Sequence, residues 1–109
     1  MKWREGLTFS KDPQSTEPRG IDWTRYLAEL DDDETVSTST WETSAGLVAD
    51  VDDTTPLTLS SPTIVTGALK TQVRYGAGSV GQQYRVTNHI VTSSGVIDER
   101  SFLVTVRER

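Results

Sequence analysis

The sequence contains one histidine, His89, followed by Ser93, Ser94, Asp98 and Ser101. A hydroxyl nucleophile needs a base within hydrogen-bond reach and an acid to orient that base, so a Ser-His-Asp arrangement would have to be drawn from these residues. No nucleophile-elbow motif accompanies them. Alternation places His89 on the outward face of a strand with Gln83, Arg85, Thr87 and Val91, where it reads as a surface residue. Asp98 and Glu99 are adjacent and in a strand point to opposite faces, whereas glycoside hydrolysis needs two carboxylates across one gap. Asp31-Asp32-Asp33-Glu34 and Asp50-Val51-Asp52-Asp53 have the oxygen density that a hard cation such as calcium wants. Neither has the spaced loop of an EF-hand, and both read as solvated turns. Gly76 to Gly81 (GAGSVG) lacks the lysine and following helix of a phosphate-binding loop. No catalytic residue, cofactor-binding residue or metal ligand is assigned.

The elements that would position such residues are strands. Sixteen threonines and eleven serines, with Val and Ile at short intervals, favour pleated, half-buried strands over helices. Residues 1–19, with Pro13, Pro18 and charges throughout, read as an extended N-terminal arm outside the sandwich. Residues 20–30 read as a first strand and 35–42 as a second, with Trp23 and Trp41 as core or half-core side chains. Leu47, Ala49 and Val51 read as a short third strand, and Leu57 and Leu59, bracketed by Pro56 and Pro62, as an edge strand. Thr63 to Leu69 follows, offering Ile64, Thr66 and Ala68 on one parity or Val65 and Leu69 on the other, and Gly76 to Ser79 reads as a flexible connector.

The last third is the clearest. Gln83 to Thr92 and Val96 to Val106 form a long hairpin around Ser93-Ser94-Gly95. Tyr84, Val86, Asn88 and Ile90 share one face of its first arm, and Phe102, Val104 and Val106 share one face of the second. Strands at this spacing predict an all-β, immunoglobulin-like β-sandwich of about seven strands, residues 20–109, with the arm attached. Tyr84 resembles the tyrosine near the start of the penultimate strand in such domains, although their Cys and Trp framework is missing.

The chain has 109 residues, room for one domain and one core but not for a large enclosed pocket. A net charge of −5 argues against nucleic acid as a partner. The sequence has no cysteine, so neither disulfides nor thiolate metal sites arise. Residues 1–10 lack the apolar core of a signal peptide, and no apolar run nears the ~20 residues that span a bilayer. The chain is expected to be made and kept in the cytoplasm or released by lysis, with no membrane partner. Trp3 and Phe9, within the charged arm, have no core of their own in this reading; either they pack on a partner chain, as docking candidates, or they fold back over this domain's sandwich. Arg100 and Arg107-Glu108-Arg109 read as strand-edge charges.

Lys11-Asp12-Pro13, Ile21-Asp22-Trp23, Tyr84-Arg85-Val86-Thr87-Asn88, Asp98-Glu99-Arg100-Ser101-Phe102 and Val106-Arg107-Glu108-Arg109 together resemble the fibre-tail adaptor family of tailed bacteriophages. The resemblance runs from about Lys11 to Arg109. It departs at Glu17-Pro18-Arg19, where an aromatic residue is expected before Gly20. It implies a non-enzymatic sandwich that joins tail to fibre or other tail proteins, sits in the virion after assembly in the host cytoplasm, and self-associates in a ring. Partner docking would then involve Trp3, Phe9, Lys11, Asp12 and Pro13. Two other readings are a capsid decoration protein and a carbohydrate-binding module, the latter using Tyr26 and Tyr75 as its platform.

Overall fold

Alternation of apolar and polar side chains along 83–106 builds the centre of the molecule, a ten-residue strand paired antiparallel with another of the same length. The computed structural model describes residues 8–49 and 55–108. In chain order the elements are β1 (Thr8–Lys11), β2 (Thr16–Asp22), α1 (Thr24–Leu30), β3 (Val36–Thr43), β4 (Leu57–Ile64), β5 (Lys70–Ala77), β6 (Gln83–Thr92) and β7 (Ile97–Val106). They form a four-stranded sheet, β1-β7-β6-β3, facing a three-stranded sheet, β2-β5-β4. The order β7-β6-β3 against β2-β5-β4 is the G-F-C and B-E-D arrangement of immunoglobulin-like sandwiches, with β1 added in parallel to the last strand.

The predicted faces meet as expected. Tyr84, Val86, Asn88 and Ile90 from β6 and Phe102, Val104 and Val106 from β7 are all buried, packed against Ile21, Leu57 and Tyr75 of the other sheet. The tyrosine position is also real: the Tyr84 hydroxyl accepts from the Ser79 N–H at 2.9 Å and donates to the Thr55 carbonyl at 3.1 Å. Trp41 occupies β3, the strand that carries the core tryptophan in antibody domains, and meets Phe102 edge-on at 6.2 Å. The segment with Leu57 and Leu59 is an edge strand, and the sheet accommodates Pro62 by a register shift between Ser60 and Thr63, with Ser61 at φ 51°.

Four readings are corrected. Residues 8–19 are not an arm outside the sandwich: β1 pairs with β7 and β2 with β5, so described residues from Thr8 onward belong to both sheets. Residues 1–7 lie outside the described residues. The proposed strand over 20–30 is the end of β2 followed by a helix, because Thr24–Leu30 is rich in helix formers and puts Trp23 and Leu27, one turn apart, into the core. Asp22 accepts from the Thr24 N–H at 2.9 Å and starts the turn.

No strand forms over 44–49: Leu47 donates its N–H to the Gln83 carbonyl, and Val51 lies outside the described residues. Gly76 and Ala77 end β5 instead of forming a connector, and the true reversal before β5 is a turn at Val65–Lys70 with Gly67 at φ 99°. No helix among the described residues is long and apolar enough to cross a membrane.

Candidate docking site

The residues singled out for partner docking are placed mostly by β1. Its alternation turns Phe9 and Lys11 inward. Phe9 meets Phe102 edge-on at 5.4 Å and lies under the Arg19 guanidinium at 4.4 Å. Lys11 is fully buried and its ammonium donates to the Asp12 carbonyl at 2.6 Å. Asp12 and Pro13, both half-buried, form the turn to β2, where the Asp12 carboxylate accepts from the Gln14 N–H at 2.9 Å. Phe9 and Lys11 thus serve this chain's own core, and Trp3 lies outside the described residues.

The catalytic and metal candidates are not assembled into sites. His89 does face outward, and its ring bridges two carboxylates: Nε2 lies 2.5 Å from Glu42 on β3 and Nδ1 2.8 Å from Glu99 on β7. Its two nitrogens point to opposite neighbours, so the three side chains cannot converge on one ion, and neither nitrogen serves a serine. Ser94 instead donates its N–H and hydroxyl to Glu34, which pins the β6–β7 turn against the start of β3. Those bonds, with others to Thr92 and Ser93, hold the Glu34 carboxyl below the usual glutamate range. Asp31, Asp32 and Asp33 are exposed, Asp50, Asp52 and Asp53 lie outside the described residues, and no group of three metal-ligating side chains gathers among the described ones.

Two buried polar features escaped the sequence. Trp23 Nε1 donates to Asn88 Oδ1 at 3.1 Å and to Thr71 Oγ1 at 3.3 Å, Thr71 donates to Asn88 at 2.6 Å, and the Asn88 amide donates to Ser39 and to the Thr40 carbonyl at 2.9 Å each. This chain of bonds crosses from β5 to β6 and β3. Arg100, read as an edge charge, is 3% exposed; its guanidinium lies 4.3 Å from the Trp23 ring and 5.3 Å from that of Tyr26. Its inward parity on β7, opposite Asn88, was the available signal. Burial lowers its pKa from the usual arginine value. Tyr75 is fully buried and Tyr26 is packed on Trp23 at 5.6 Å, so neither offers the flat exposed ring of a sugar platform.

What remains open is the rim of the sandwich. On one side, between β1 and β2, a cleft of about 420 Å³ is lined by Phe9, Arg19, Ile21, Lys70 and Gln72. On the other, where the β3 and β4 edges face each other, a cleft of about 300 Å³ is lined by Ser39, Trp41, Leu59, Pro62 and Val73. The Trp41 indole nitrogen is buried without a hydrogen-bond partner. A rigid sandwich with such edges can receive strands or arms from neighbours.

No curated protein matches the chain. A family model described as "Podophage GP4 fiber-tail adaptor protein gp77" matches residues 11–105, from the buried Lys11 through nearly the whole of β7. The match takes in six of the seven strands and the last residue of β1, and on that extent the chain belongs to the podophage GP4 fiber-tail adaptor (gp77) family.

Proposed function

We propose that the protein is a non-enzymatic structural component of a tailed-phage virion, which joins the tail to a fibre or another tail protein and acts as a ring of copies. The family match over residues 11–105 carries this reading. The geometry supports it: the polar chemistry of the described residues is turned inward to hold the two sheets together, while the clefts open along strand edges. Rings suit such a sandwich, since each copy can bind weakly while the set binds strongly. The acidic balance, −5 overall, does not suit a phosphate backbone, and neither nucleic acid nor membrane has a part in the proposal.

Quantitative mass spectrometry of separated head and tail fractions from purified particles tests it. A low copy number in the tail fraction is the expected result. Hundreds of copies with the heads would identify a capsid decoration protein instead, and absence from both fractions would overturn the virion reading.

A further inference from the structure

We propose that the cleft between β1 and β2 receives the acidic turn of a second copy of this chain, Leu30-Asp31-Asp32-Asp33, with a carboxylate on Arg19 and the leucine on the apolar wall, so that copies join head to tail. The inference rests on the ring in the reading above and names its interface.

The cleft is built around a fixed cation. Arg19, on the inward parity of β2, is half-buried. Its guanidinium lies 4.4 Å from the centroid of the Phe9 ring, and its Nε donates to the hydroxyl of the fully buried Tyr75 at 3.3 Å. Its two terminal nitrogens have neither a hydrogen bond nor a carboxylate among the described residues. A guanidinium laid on a ring keeps its planar fork ready for a carboxylate, and most of the ordering cost is met before any ligand arrives.

The rest of the cleft sets what can enter. Its volume is about 420 Å³, and Phe9, Pro18, Ile21 and Val65 give it apolar walls. Lys70 also lines it and is exposed. The lining carboxylate, Asp22, already accepts from the Thr24 N–H and lies near Arg100 as well as Lys70. Two cations against one carboxylate leave the cleft positive on a chain whose net charge is −5. The ligand that fits is an apolar side chain flanked by carboxylates.

This chain presents such a segment. Leu30 ends α1 with 41% of its surface exposed, and Asp31, Asp32 and Asp33 follow it, all exposed and none in an ion pair among the described residues. The Asp31 N–H donates to the Leu27 carbonyl, and Asp31 Oδ1 accepts from the Asp33 N–H at 3.1 Å, so the turn is held in one shape.

α1 carries the chain from β2 on one rim to β3 on the other, so turn and cleft stand apart by the width of the four-stranded sheet, about 14 Å, and do not meet within one copy. A neighbour placed rim to rim brings them together. The contact uses different surfaces on its two sides, and repeating it closes rings when the rotation allows.

Light scattering of the full chain at low salt, across a concentration series up to about 1 mM, tests this, since weak contacts populate in that range. The mass is expected to rise above the 12.1 kDa monomer. It should fall back when salt is raised to about 0.5 M, which screens the charges. Asp31→Asn, Asp32→Asn and Asp33→Asn made together keep the turn chemistry and remove its charge. That variant, and one with Arg19→Gln and Lys70→Gln, should each stay monomeric. Each retains one intact half of the interface, so an equimolar mixture should pair one chain of each kind and stop at a dimer, a complementation that misfolding cannot produce. Lys70→Gln alone, at an exposed side chain, should weaken association by about fivefold.

A wild-type chain that stays monomeric, a mixture that fails to pair, or assemblies indifferent to these substitutions would overturn the proposal. None of these results touches the adaptor reading, which fails instead if the protein is missing from the tail fraction.

Discussion

The indole Nε1 of Trp23 donates to Oδ1 of Asn88 at 3.1 Å, which ties the junction of β2 and α1 to the middle of β6. Asn88 is fully buried and uses both ends of its amide, accepting from Trp23 and Thr71 and donating to Ser39 and Thr40. Asn88→Ala should therefore destabilise the fold by about 1–3 kcal/mol, the cost of leaving buried donors unmade. Asn88→Asp should be worse at neutral pH, since it removes the donor and buries a charge. Urea unfolding midpoints of the two variants check this, and an Asn88→Asp midpoint equal to wild type would contradict the network.

Arg100 acts through its plane as much as its charge. Stacked over Trp23 and Tyr26, its guanidinium should not be replaceable by an ammonium. Both Arg100→Lys and Arg100→Met are expected to lose about 1 kcal/mol and to alter the near-ultraviolet circular dichroism of Trp23. A neutral outcome for lysine would show that charge alone is needed.

Gly78 and Gly67 make a controlled pair. Both have positive φ, 94° and 99°, but a Cβ at Gly78 would lie 2.7 Å from Val106 Cγ2, whereas at Gly67 nothing lies within 4 Å. Gly67→Ala should cost about 1 kcal/mol of backbone strain, and Gly78→Ala clearly more, because the β7 core must also give way. Thermal melts of the two variants measure the difference.

Acid should weaken the β6–β7 turn and the start of α1. The Ser94 hydroxyl holds Glu34 below the ordinary glutamate value of 4.5, and hydrogen bonds from Thr24 hold Asp22 below the ordinary aspartate value of 3.8. With folded-state values depressed, the stabilisation is present above the unfolded values and is lost as pH falls through the folded ones. Glu34→Gln should melt below wild type at about pH 7, and the gap should narrow towards about pH 3. A gap that stays constant would assign the effect to packing.

His89 should matter little. Its side chain is 37% exposed and those of Glu42 and Glu99 are 66% and 63% exposed, so their contacts are solvent-screened and worth about 0–1 kcal/mol each. His89→Ala should shift the melting temperature by only a few degrees.

The β6–β7 hairpin, its turn and both of its buried faces were legible in the sequence, because alternation with period two and a short Ser-Ser-Gly connection are local signals. The outward face of His89 and the edge position of β4 followed from the same local logic, with Pro62 marking the edge. Residues 8–19 were not legible. β1 finds its partner at the far end of the chain, pairing Phe9 with Val104, and no short-range pattern encodes a parallel contact over that separation. Nor did the strand read over residues 20–30 reveal the helix, since a short apolar stretch can satisfy both periods until packing chooses.

The sequence by itself determined a cysteine-free, Thr-rich chain of alternating strands, closed by one long hairpin and acidic overall. These properties depend on residue type and spacing alone. Only the tertiary structure decided that Phe9 and Lys11 lie in the core, that Arg100 stacks on Trp23 instead of guarding an edge, and that β3 stands at the edge of the described four-stranded sheet. Each of those depends on which distant strand becomes the neighbour, and that choice is made by the joint burial of two sheets, which no single segment carries.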